Sequence, residues 1–95
     1  MSYAIIRNMK YKREKDFLQV LCREYLEYLL ENVGWTESQA TLIRERYIKH
    51  YSILHTCLNM AITSATYARY FESALAKLQT FLVLHKDEEI SKFYW

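Results

Sequence analysis

Apolar residues recur every three or four positions through three long stretches of this chain. The first carries Phe17, Leu18, Leu21, Tyr25, Tyr28, Leu29 and Val33, with Glu24, Glu27 and Glu31 on the opposite side. That spacing predicts an amphipathic helix from about Asp16, itself a candidate N-cap with Gln19 three residues on. Leu26 and Leu30 widen its apolar face, as in a helix packed on more than one side. The second stretch runs Ala40, Ile43, Tyr47, Tyr51, Leu54, Leu58 and Ile62, and no glycine or proline interrupts it. It predicts a helix from Glu37 to about residue 62, long enough to kink or break near His50–Ser52. The third carries Ala68, Phe71, Leu75, Leu78 and Leu82, with Ala74 and Phe81 beside them, after the cap-forming Thr63, Ser64 and Thr66. It ends near His85 and Lys86, whose charges suit a helix C-terminus. Asp87 is placed to cap a short final turn.

The junction between the first two helices is written in "ENVGWTESQ". Gly34, the only glycine, stands where a left-handed C′ residue belongs, with Trp35 packing back on the last turn. Thr36 and Gln39 have capping-box spacing. One helix therefore ends and the next begins within three residues, which makes an antiparallel αα-hairpin. The fold class predicted is all-α: a small bundle of three helices, or four if the second breaks, over residues 16–95. Residues 1–15 precede it as a basic arm.

That opening segment fits neither period cleanly. Tyr3, Ile5, Met9 and Tyr11 alternate as in a strand, while Ile5, Ile6 and Met9 also cluster as on a helix. An extended arm laid over the bundle, a short strand and a helical start all stay open. A strand would need a ladder partner from outside the bundle.

Composition sharpens the class. One glycine and no proline leave too few turn-formers for an all-β domain. A hydrophobic content of 52% with nine tyrosines is too high for disorder. No apolar run is long enough for a membrane span, and no secretory pattern opens the chain, so the expected location is cytoplasmic. Cys22 and Cys57 lack disulfide or zinc spacing and read as buried free thiols.

Candidate chemistry is sparse. His50 and His55, five apart, do not share a helix face, and no paired-ligand motif accompanies them. No glycine-rich loop cradles phosphate. Neither enzymatic activity nor a metal or cofactor is expected. Charge is more informative. Net charge is +2, yet residues 1–15 hold +4 and the remainder −2. Arg7, Lys10, Lys12, Arg13 and Lys15, with Arg44, Arg46 and Lys49 on the second helix, are candidate nucleic-acid contacts, and Tyr3 and Tyr11 could stack on bases.

The most informative feature is a gap: residues 50–68, "HYSILHTCLNMAITSATYA", contain no Lys, Arg, Asp or Glu. A solvated face normally carries charge, and interface cores are depleted of it. The small polar residues Ser52, Thr56, Asn59 and Thr63, with Tyr67 and Tyr70 beyond them, are therefore the candidate partner interface, for a second copy or another protein. A central helix buried in its own bundle explains the same gap.

Finally, "MSYAIIRNMKYKREK" resembles the start of MobV-type plasmid mobilisation relaxases, which often begin M-S-Y-A-I-x-R-x-x-K-x-K. Met1, Ser2, Tyr3, Ala4, Ile5, Arg7, Lys10 and Lys12 match. In that family the segment is the first strand of a catalytic sheet that nicks plasmid DNA. The likeness is confined to residues 1–14, and no histidine-rich motif follows. It therefore implies a mobile genetic element, such as a plasmid or phage, as the source, and no relaxase activity. The expected function is a non-enzymatic interaction module, an inhibitor or adaptor of a host or defence protein in the manner of an anti-CRISPR. A nucleic-acid-binding accessory factor is the alternative.

Overall fold

The computed structural model describes residues 10–95. Among them there are only helices: α1 (Lys12–Val20), α2 (Arg23–Asn32), α3 (Glu37–Ile43), α4 (Ile53–Met60) and α5 (Ser64–Leu84). A π-helical turn, Arg44–Ile48, prolongs α3, and a 3-10 turn, Glu89–Phe93, follows α5. The all-α class stands, but five helices replace the three or four expected. The arm or strand expected over residues 3–11 lies largely outside the described residues. Lys10 and Tyr11 form a turn, and the helix begins at Lys12, so the supposed arm residues 12–15 are helical and Asp16 is no cap.

α5 is the organising element. Ala74, Leu75, Leu78, Phe81 and Leu82 form its buried stripe, as the 3–4 spacing predicts. The shorter elements close over it. α3 lies against it most extensively, and α1 and α4 cover its N-terminal half together with the π turn. The first long helix is two. Leu21 and Cys22 adopt extended backbone, and α2 restarts at Arg23. No residue of "VLC" demands this break. It lets Leu18 and Leu21 on one side, and Leu26 and Leu29 on the other, all be buried. It also leaves Cys22 exposed, contrary to expectation, while Cys57 is buried.

The αα-hairpin forms as its residues predict. Gly34 has φ +84°, and the Thr36–Gln39 capping box closes with bonds of 3.2 and 3.0 Å. Trp35 does more than pack on the preceding turn: its buried indole N–H donates to the Ala74 carbonyl of α5 at 2.8 Å. A carbonyl has a second lone pair to give, and the small Ala74 side chain lets the ring approach. Gln39 Nε2 donates to Ser73 Oγ one residue earlier. The hairpin is thus fixed to the middle of α5 by two polar contacts beside its apolar ones.

The second predicted helix breaks near His50–Ser52, as its length allowed, and a π turn leads into the break. The Lys49 N–H donates to the Arg44 carbonyl, five residues back, and Tyr51 N–H to Glu45, six back. His50 then takes φ +59°, and Ser52 caps a new helix by accepting from His55 N–H. Widening the turn shifts the helical register, so the stripe through Tyr47 does not continue. In α4 the buried side chains are Thr56 and Cys57, while Leu54 and Leu58 face outward. Beyond α5, Glu88 and not Asp87 precedes the last turn.

The described residues span 37 × 34 × 20 Å. Twenty ångströms accommodates two layers of helices at about 10 Å each, so every helix keeps one face at the surface. Gly34→Ala tests the hairpin. An added Cβ meets nothing within 4 Å, so the whole cost is the left-handed backbone. The urea midpoint should fall by the equivalent of about 1 kcal/mol with unchanged slope, and Gly34→Asn should cost less.

Candidate functional site

Two clefts of about 570 and 640 Å³ lie side by side and share Gln19, Arg46 and Tyr47. Together they form one groove. α1 supplies one wall through Lys15 and Gln19, four apart on one helix face, and Tyr11 extends it from the turn that precedes the helix. α5 supplies the floor of the first cleft through Tyr67, Phe71 and Leu75. The π turn forms the other wall with Arg46 and Tyr47, and beyond it the second cleft runs between the α1–α2 break and His50. Backbone irregularities gather here: the π turn itself, and Tyr11 and His50, both non-glycine residues at positive φ. Such conformations cost of order 1–3 kcal/mol each and cluster at functional sites.

Arg46 sits between the two clefts. Its Nε donates to Tyr67 Oη at 3.0 Å and its Nη1 to the Tyr51 carbonyl at 2.6 Å. A guanidinium has five N–H donors, so the two bonds fix its orientation and leave three for a ligand. Burial pushes the Tyr67 phenol up, and Arg46 opposes this. Burial also pushes the Tyr47 phenol up to about 12. Lys15 reaches across to the Phe71 ring at 5.6 Å, and Lys10 pairs with Glu72 at 2.8 Å.

The predicted basic residues divide. Lys10, Lys15 and Arg46, remote in sequence, meet in the groove. Lys12 pairs with Asp16 at the surface, Lys49 lies 3.9 Å from Glu45, and Arg44 is exposed away from both clefts. Arg7 lies outside the described residues. Arg13 has a structural role: its Nη2 donates to the Tyr94 carbonyl at 2.7 Å, and its guanidinium lies over the Tyr94 and Trp95 rings. Beside it the Tyr94 hydroxyl donates to the buried Glu14 carboxylate at 2.5 Å, and Phe17 meets the Tyr94 ring edge-on. This clasp holds the final residues against α1. Only the pairing of an isolated "RE" with a distant "YW" could have signalled it.

The candidate interface residues divide as well. Ser52 and Thr63 are helix caps, each accepting a backbone N–H. Asn59 is exposed and donates to Glu45 Oε1 at 3.1 Å. Thr56 is fully buried inside the chain, with no partner for its hydroxyl, and Tyr67 is buried behind Arg46. Tyr70 is half-buried. These six residues thus form no outward face. Beside the exposed polar Ser52, His55 and Asn59, the uncharged segment turns three large apolar side chains outward: Ile53 at 47% exposure, Leu54 at 71% and Leu58 at 71%. A second exposed apolar set, Val83, Leu84 and Trp95, lies at the far end of α5.

Among the described residues no group of His, Cys, Asp or Glu is placed to hold a metal ion, and no helix is long and apolar enough to cross a membrane. Comparison with protein-family models, curated proteins and solved structures finds no match.

The buried phenols make alkaline stability a test of this geometry. The Tyr47 and Tyr94 hydroxyls both rise from 10.0 to about 12, each chiefly through burial, Tyr94 also through its bond to Glu14. A folded state that holds its protons more tightly than the unfolded chain loses stability as pH climbs between those values. Stability should therefore hold up to pH 10 and fall between about pH 10 and 12. Tyr94→Phe should reduce that slope, and at pH 7 should cost about 1–3 kcal/mol by leaving Glu14 without its donor. Urea midpoints across the pH series check both.

Proposed function

We propose that this protein is a small interaction module without chemistry of its own, acting as inhibitor or adaptor of another protein. The observation that carries the reading is the outward pair Leu54 and Leu58, each 71% exposed, on the segment free of charge from residue 50 to 68. Burying a leucine stabilises a fold by about 1.5–3 kcal/mol, and α4 forgoes that twice within one turn. Leu54 and Leu58 are four apart and so stack on one face, with Ile53 beside them. Partner helices recognise such a surface through anchors at this spacing. The absence of charge means that docking desolvates no ion. The resemblance of residues 1–14 to the start of plasmid relaxases supports a mobile element as the source. The partner would then be a host or defence protein of the cell that carries it.

Replacing Leu54 and Leu58 together by Asp should leave helicity and the urea midpoint within the equivalent of about 0.5 kcal/mol, because both are surface positions. Capture from the native cell should recover a stoichiometric protein partner with the unaltered chain and not with this double variant. Val83→Asp combined with Leu84→Asp, on the other exposed apolar set, should retain it. A partner kept by the α4 variant, or absent equally with the control, would sink the reading.

A further inference from the structure

We propose that the groove between α1, the π turn and α5 binds single-stranded nucleic acid, with backbone phosphates on Lys15, Arg46 and Arg23 and bases against its tyrosine and phenylalanine rings. This goes beyond the protein-interaction role and uses a neighbouring surface that shares only Ile53 with the α4 patch.

Three features point to that ligand. The first is the charge track. Lys15 lines the first cleft, Arg46 divides the two, and Arg23, 75% exposed and 3.6 Å from Glu27 at the surface, lines the second, as does His50. The acids that border the first cleft, Asp16 and Glu72, are paired with Lys12 and Lys10. No acid lines the second cleft. Lys15 has no carboxylate within ion-pair distance among the described residues, and Arg46 is aimed by hydrogen bonds that leave three N–H groups unused.

The second feature is the interleaving of aromatic faces with this track. Tyr11, Tyr47, Tyr67 and Phe71 all line the first cleft, with Tyr67 buried beneath Arg46 and Tyr11, Tyr47 and Phe71 partly exposed. A nucleobase can stack on an exposed ring without regard to sequence, and each stacked base contributes about 1–3 kcal/mol. The third is shape. A cleft near 570 Å³ is the size of a small-ligand pocket, and its continuation past Arg46 suits a chain more than an isolated nucleotide. A duplex is disfavoured, because its bases are already stacked and its phosphates are spaced across a wide cylinder that does not enter a groove between helices. Association at micromolar strength in low salt is expected from so few phosphate contacts.

Fluorescence anisotropy with a labelled twelve-residue oligothymidine is the direct measurement. The unaltered chain should bind it at 50 mM salt and more weakly as salt rises. Lys15→Glu combined with Arg23→Glu should weaken binding at least tenfold and flatten the salt dependence by about 1.4 in log–log slope, at about 0.7 for each phosphate no longer neutralised. Both positions are solvent-accessible, and an unchanged circular dichroism spectrum will show that the fold survives. Lys86→Glu combined with Lys92→Glu, away from the groove, should change affinity less than threefold. Leu54→Asp with Leu58→Asp should still bind the oligonucleotide, which separates this site from the α4 surface. No binding at 50 mM salt, equal weakening in the two charge-reversal variants, or tighter binding to the matching duplex would overturn the proposal. So would full competition by free thymidine monophosphate at concentrations comparable to the oligonucleotide, which would mark a mononucleotide pocket instead.

Discussion

A single 21-residue helix with a fully buried stripe has to be covered by a chain that has few residues left to do it. That constraint shapes the rest. A small domain buries only about 60–65% of its unfolded surface, and no second helix here is long enough to run beside α5 over its whole length. Short helices therefore cover it in sections, each re-aimed by an interruption. The break at Leu21–Cys22 lets the first two approach from different angles. The Trp35 indole, bonded to the Ala74 carbonyl, fixes the middle section. The Tyr94–Glu14–Arg13 clasp ties the final turn to α1. Polar contacts sit at the joints between sections because a joint exposes backbone groups that the apolar stripe cannot satisfy.

The π turn after α3 is the joint with the largest consequence. A regular helix continued from Ile43 would carry the Tyr47, Tyr51, Leu54 and Leu58 stripe along one side and bury it. One widened turn, with His50 in the left-handed region just beyond it, re-aims α4. Arg46 then secures the altered path by bonding forward to the Tyr51 carbonyl and across to Tyr67 on α5. The same displacement that sends the leucines outward opens the cleft on the other side of the turn. Both proposed surfaces adjoin this one backbone irregularity.

Much of the architecture was legible in the residues. The stripe of α5, the hairpin at Gly34 and the Thr36–Gln39 box each rest on local rules that act within four or five residues, and each forms as those rules require. The length of the second stretch predicts the break near His50–Ser52, which is present, but not its form as a π turn, nor the break at Leu21–Cys22. "VLC" contains no breaker, and "RERYI" reads as ordinary helix, because both breaks come from where the buried side chains must go after the chain has folded. The candidate site was half legible for the same reason. Lys10, Lys15 and Arg46 carry the right charge, but only the tertiary path brings them together, and Arg13 carries the same charge into a structural clasp. Ser52 and Thr63 share one polar face only if residues 52–63 form a single uninterrupted helix. Once the helix is cut at residue 52, each stands at a start where a hydroxyl caps a free N–H.

The uncharged run from residue 50 to 68 gains its meaning from the same cut. Had it been one central helix enclosed by its neighbours, the lack of charge would follow from burial alone. Thr56 and Cys57 satisfy that account, and Leu54 and Leu58 do not, since each is mostly open to water although no ionic residue occurs in the run from 50 to 68. Solubility would favour a lysine or glutamate at either position at almost no structural cost, because exposed substitutions usually change stability by less than about 0.5 kcal/mol. The proposed docking surface accounts for the two leucines, and Ile53, which belongs to that patch and also lines the first cleft, places it beside Lys15 and Arg46.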